Sequence, residues 1–144
     1  MQALIPVLIA LVGGIAICMQ SLFSGTIGRL TGVMESVFIV HLGGLFLASV
    51  ILLFMRGGKI GAWQSIPWYA LCAGFIGVVI VGAISYAVPR LGLATALTLS
   101  VIAQLVLGAL LAHFGLFGVI QRPLDLSRVA GILILFIGTW LIIR

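Results

Sequence analysis

Charged positions cut this chain into long apolar runs. The nine charged residues are Arg29, Glu35, Arg56, Lys59, Arg90, Arg122, Asp125, Arg128 and Arg144. Between them lie five stretches close to the length, about 20 apolar residues, that crosses a bilayer as a helix. The pattern predicts helices over about 3–24, 34–55, 67–88, 92–116 and 127–143. The connections SGTIGRLTG, RGGKIGAWQSIP, VPRLG and FGLFGVIQRPLDLS carry the Gly, Pro and polar punctuation of turns. Pro67 suits the first turn of the third helix, and Asp125 or Ser127 can cap the fifth. Glu35 falls in the first turn of the second, where the helix dipole favours an acid. The expected fold is an all-α integral membrane protein, a single transmembrane domain of five helices.

Polar residues inside the spans matter more, because such groups face a partner or a cavity. The fourth helix has a stripe at every fourth position: Gly92, Ala96, Ser100, Gln104, Gly108 and Ala112. All are small except Gln104, which falls near the bilayer midplane. The first helix offers Gly13, Ala16, Gln20 and Ser24 on one face, and the second offers His41, Gly44 and Ala48. The third offers Ala70, Gly74, Gly82 and Tyr86. Two readings of these faces compete. As interhelical glue, each glutamine contributes about 0.6 kcal/mol and at most about 2. As cavity lining, Gln104, Gln20, His41, Ser100 and Tyr86 are the candidate solute contacts. Gly74, Gly82, Gly108 and Ala112 are the candidate packing positions of a dimer, since small residues let helix backbones approach. His113, near the end of the fourth helix, reads as interfacial.

Composition agrees with the run lengths. The chain is 64% hydrophobic and 6% charged, with a mean hydropathy of +1.46. Soluble domains carry about 25% charged residues, so this surface belongs in lipid. The first helix lacks the basic leader and small-residue cleavage site of a signal peptide. Cys18 and Cys72 fall within predicted helices and read as small buried hydrophobes, with no disulfide framework or metal set implied.

The net charge of +5 is spread singly over helix ends, which suits lipid headgroups and not nucleic acid. Five helices divide the basic residues between two sides. Arg56, Lys59, Arg122 and Arg128 face one side; Arg29, Arg90 and Arg144 face the other. Orientation follows the Lys/Arg excess, and a difference of one barely specifies it. That balance fits a chain inserted both ways, two copies packing antiparallel as an inverted-repeat transporter. The alternative is that one orientation dominates.

The stretch AGFIGVVIVGAISYAVPRLGLATALTLSVIAQLVLGALLAHFGLFG, followed by QRPLDLSRVAGILILFIGTWLI, resembles the short, five-helix YdcZ-type branch of the drug/metabolite transporter superfamily. The resemblance rests on the VPRLG turn, Gln104, the HFGLFG end and the RPLDLSRVAG start of the fifth helix; Gln20 matches a glutamine of the family's first helix. It implies half of an inverted-repeat ten-helix fold, in a bacterial or archaeal cytoplasmic membrane, acting on a small organic solute. This chain departs from the family at Ser24, where asparagine is common, and at Ala112, where aspartate is frequent. The related small multidrug-resistance proteins use a glutamate in the first helix, and this first helix has no acid.

An intramembrane enzyme needs a nucleophile–base pair or a metal set, and the chain offers no H-E-x-x-H, clustered acids or paired aspartates. No cofactor is implied. A channel needs a continuous polar stripe through the bilayer. The expected function is transport by a homodimer; the runner-up is a non-transporting subunit that needs a related partner chain. Balanced orientation makes a sharp prediction. Green fluorescent protein and alkaline phosphatase, each fused after Arg144, should both be active, and two lysines added beside Arg29 should bias the population toward one. Activity of a single reporter at full expression would rule out insertion in both orientations.

Overall fold

A computed structural model describes residues 4–144. They form five helices long and apolar enough to cross a membrane, and no strand is present among them. The chain divides into two compact units, residues 1–90 and 91–144.

The first unit holds α1 (Leu4–Thr31), α2 (Val33–Phe54), a 3-10 stretch (Ile60–Ser65), the single turn α3 (Trp68–Leu71) and α4 (Ala73–Leu91). α1 is longer than its apolar run suggests. Its 28 residues continue through SGTIG to Thr31 instead of ending near 24. In water Ser, Gly and Thr punctuate helices. In hydrocarbon the helix is the conformation that satisfies the backbone, and the small residues become contact surface. The hydroxyls of Thr26 and Thr31 fold back onto the carbonyls of Leu22 and Ile27 at 2.9 Å each. α1 ends only at Gly32, whose φ of +119° few L side chains adopt. The Gly32 N–H donates to Gly28 O, and its own carbonyl accepts from Ser36 N. One residue thus closes α1 and opens α2, so the two helices turn back to back. The carboxylate of Glu35 folds over Gly32 without a side-chain capping bond.

Pro67 stands as the N-cap residue of α3, one position before the first turn, and Cys72 separates that turn from α4. α4 runs through most of VPRLG, with Pro89 inside its last turns. Proline has no N–H, so the carbonyl of Ser85 loses its usual helical donor. That carbonyl faces α1: a methyl group at Gly28 would stand 2.9 Å from it and from Ser85 Cβ. At Gly25 a methyl would meet Val88 Cγ1 at 2.6 Å. α1 and α4 therefore cross where α1 has no side chains. Gly82 of α4 faces α2 in the same way, with Val37 Cγ2 at 3.5 Å from a methyl placed there.

The second unit is a helical hairpin, α5 (Leu93–Phe114) and α6 (Leu126–Ile143), joined by a connection with a 3-10 turn at Leu116–Gly118. Gly115 ends α5 in the left-handed conformation, φ 64°. Asp125 caps α6, its Oδ1 accepting from the Arg128 N–H at 2.8 Å. The connection folds back on α5: Arg122 N donates to Ala112 O at 2.8 Å, Gln121 Nε2 to His113 O at 3.2 Å, and Leu124 N to His113 Nδ1 at 3.1 Å.

Side-chain burial is inverted relative to a protein in water. Ser24, Ser36 and Ser85 are the largest fully buried side chains among the described residues, while Leu, Ile, Val and Phe cover the outside. Lipid tails are as apolar as leucine, so burying leucine gains little and close packing of small residues decides which helices meet. The crossing at Gly25 gives a prediction. Gly25→Leu should destabilise the protein by about 1–3 kcal/mol or more, the range for overpacking. Gly14→Leu should be near neutral, since a side chain there meets nothing within 4 Å. Equal melting of both variants in detergent would contradict the α1–α4 crossing.

Candidate functional site

α5 and α6 lie against each other along one face but leave an open groove of about 360 Å³. It is lined by Gln104, Leu105, Gly108 and Ala109 from α5 and by Arg128, Gly131, Ile132 and Leu135 from α6. The small residues make the room: a methyl at Gly108 or at Gly131 would meet nothing within 4 Å. The stripe containing Gly108 therefore borders empty space within the chain. The wall is mostly apolar, with polarity from two side chains.

Gln104 is one of them. Its amide has no hydrogen-bond partner among the described residues, and it is exposed. It does not tie α5 to α6. The second is Arg128, in the first turn of α6 and half-buried. Its Nη1 donates to the carbonyls of Arg122 and Pro123 at 3.1 and 3.4 Å, which holds the guanidinium at the connection end of the groove. The connection is itself anchored by His113, whose Nδ1 accepts the Leu124 N–H and so carries no proton in this arrangement.

The other expected contacts are distributed. Ser100 is one turn from Gln104 on α5, but its hydroxyl donates to Ala96 O at 3.0 Å. In the first unit, His41 is half-buried on α2, with Nδ1 2.8 Å from Val37 O. A carbonyl only accepts, so Nδ1 carries the proton. Its Nε2 faces α4 where Gly77 leaves room, 3.2 Å from the position a methyl would take. Gln20 is exposed, with no hydrogen-bond partner among the described residues. Tyr86 is 54% exposed and lies under the guanidinium of Arg90, 3.6 Å from its ring centroid, while Arg90 Nη1 donates to Tyr86 O. Among the dimer candidates, Gly82 is covered by α2 of its own chain, Gly74 has open space, and Ala112 lends its carbonyl to Arg122.

Sequence reasoning missed a cluster where α1, α2 and α4 meet. Ser24, Ser36 and Ser85 are at most 1% exposed. Ser24 Oγ is 2.6 Å from Ser85 Oγ, Ser85 Oγ donates to Ser36 Oγ at 2.9 Å, and Ser36 Oγ donates to Ser24 O at 2.9 Å. If Ser24 donates to Ser85, all three hydroxyl protons are used. The signal was Ser24 itself, the departure from the family's asparagine, four residues after Gln20. Nothing along the chain connects it with positions 36 and 85. No group of three or more His, Cys, Asp or Glu able to hold a metal occurs among the described residues.

Five helices long and apolar enough to cross a membrane define a multi-pass membrane protein. Residues 5–141 match the family described as "Putative inner membrane exporter, YdcZ", and the chain belongs to that family. Comparisons with curated proteins and with solved structures returned no match.

The serine cluster yields a prediction. Ser36→Ala removes the acceptor of Ser85 and a donor to Ser24 O, and should destabilise by about 1–3 kcal/mol, as for a buried polar group left unpaired. Ser24→Ala/Ser36→Ala together should lose less than the sum of the single changes, because the hydroxyls share one network. Thermal unfolding in detergent checks this, and strict additivity would separate the three hydroxyls.

Proposed function

We propose that this chain is a small-solute transporter of the drug/metabolite class, in a bacterial or archaeal cytoplasmic membrane. It works as an antiparallel homodimer inserted in both orientations, with no cofactor and no enzymatic step. Each copy supplies five helices, half of a ten-helix inverted repeat. The solute, a small organic molecule, passes through a polar cavity near the midplane to which Gln104 contributes, with Gln20, His41, Ser100 and Tyr86 as further candidate contacts. The observation that carries this reading is the Gln104 amide at an open groove without a partner among the described residues. A glutamine acting as glue would bond a neighbouring helix. An amide at a groove offers two donors and an acceptor to a passing solute. Family membership gives independent support, since the family is described as an exporter. The four-to-three division of basic residues supports antiparallel pairing. Gly74 has space for a second helix; Gly108 borders the groove.

Reconstitution tests it. Purified protein in liposomes should move labelled solutes from a panel of organic anions, cations and neutral compounds without a second chain. Gln104→Leu should abolish that flux and the solute-induced rise in melting temperature, while the unliganded protein melts almost unchanged. Flux only after adding a related chain would make this a partner subunit. Full flux with Gln104→Leu would return the amide to a packing role.

A further inference from the structure

Among the described residues, Arg128 is the one charged residue lining the α5–α6 groove, and no carboxylate lines it. Its guanidinium has five N–H donors in a fixed fork. Those on Nη1 reach Arg122 O and Pro123 O, and the rest have no partner among the described residues. Asp125, three positions away, is engaged as a helix cap through Oδ1 and the Arg128 backbone N–H. The groove thus presents a held cation, without an ion-pair partner among the described residues, at one end of an apolar trough. From Arg128 to Leu135 the trough extends about 10 Å along α6, at 1.5 Å per residue. Leu105, Ala109, Ile132 and Leu135 form its apolar wall, Gly108 and Gly131 leave its middle open, and Gln104 adds an amide. Its volume, about 360 Å³, lies at the small end of small-molecule sites, about 300–1,000 Å³.

We propose that this groove binds a small amphipathic organic anion, with its carboxylate on the Arg128 guanidinium and its apolar body along Leu105, Ala109, Ile132 and Leu135. The assignment rests on the solute-transport reading and names its substrate class. A guanidinium and a carboxylate match in charge and planar geometry, and their hydrogen bonds strengthen where water is scarce. A cation of the same shape would meet Arg128 with no acid in the groove wall to offset it. The Gln104 amide selects among anions, favouring one with a hydrogen-bonding group at the far end of its chain. The bonds from Gln121, Arg122 and Leu124 to α5 keep the carbonyls that anchor Arg128 in place, so the guanidinium is positioned before the anion arrives.

The test is equilibrium dialysis of radiolabelled octanoate against the full chain in phosphatidylcholine nanodiscs, with empty discs as the blank. Saturable binding is expected, displaced by ω-hydroxyoctanoate and not by octyltrimethylammonium. Arg128→Gln should weaken octanoate by about tenfold or more, the loss of one charge-assisted hydrogen-bonding group. Arg128→Lys should recover much of it. Gly131→Leu should remove binding by filling the trough while leaving Arg128 in place. Gln104→Leu should erase the preference for ω-hydroxyoctanoate. Equal displacement by octyltrimethylammonium, or unchanged binding in Arg128→Gln, would overturn the proposal. Displacement by phosphatidylglycerol would assign the groove to a bilayer lipid, and unchanged octanoate binding in a Gly131→Leu protein with weakened dimers would assign it to a second copy; either result overturns the proposal. Octanoate binding without flux of any solute would uphold the site and end the transport reading. Flux of cations without octanoate binding would uphold transport and overturn the anion site.

Discussion

Hydrocarbon gives a polar group nothing to bond to, so a polar group held between the helices must close on another group of the chain or open onto a cavity. The first unit takes the former course. Three serines from three helices share their hydroxyls, at the place where α1, α2 and α4 meet. The arrangement depends on backbone features around it. Gly32 reverses the chain in one residue, which sets Ser24 and Ser36 side by side on α1 and α2. Gly25 and Gly28 let α4 come close enough for Ser85 to join, and Pro89 leaves the Ser85 carbonyl turned toward the flat side of α1. A methyl group at Gly28 would push against Ser85, and one at Gly25 against Val88 of the same helix.

The second unit uses similar residues to the opposite end. Gly108 and Gly131 could have drawn α5 and α6 into contact, as glycines do across α1 and α4. Instead they border open space, with Gln104 and Arg128 facing it. Small residues thus make a tight crossing in one unit and a groove in the other. The difference follows from the partner surface. Val88, Ser85 and Pro89 fill the space beside Gly25 and Gly28, whereas no side chain reaches the space beside Gly108 or Gly131.

Membership of the exporter family and the groove's chemistry bear on different levels of function. The family gives the class of protein. The proposed charge preference of the groove rests on its side chains, and on Arg128 being held by the connection behind it. Arg128 reads from sequence as one more basic residue at a helix end. What distinguishes it is the bonding of Leu124 to His113 and of Arg122 to Ala112, which folds the connection onto α5.

The sequence by itself determined the membrane class, the existence of five spans and a cap of the last helix at Asp125 or Ser127, of which the structure uses Asp125. Each of these is a local property: run length, spacing and the chemistry of one residue in a known solvent. It misplaced the end of α1, because SGTIG reads as a turn in water and acts as a helix contact surface in lipid. It treated Gly82 and Gly108 alike, although one is covered by α2 and the other borders the groove. It passed over Ser36 and Ser85, which gain their role only beside Ser24. Those distinctions belong to the tertiary structure, because burial of a small residue is set by what the neighbouring helix brings to it, and residues 24, 36 and 85 become neighbours only when the helices cross.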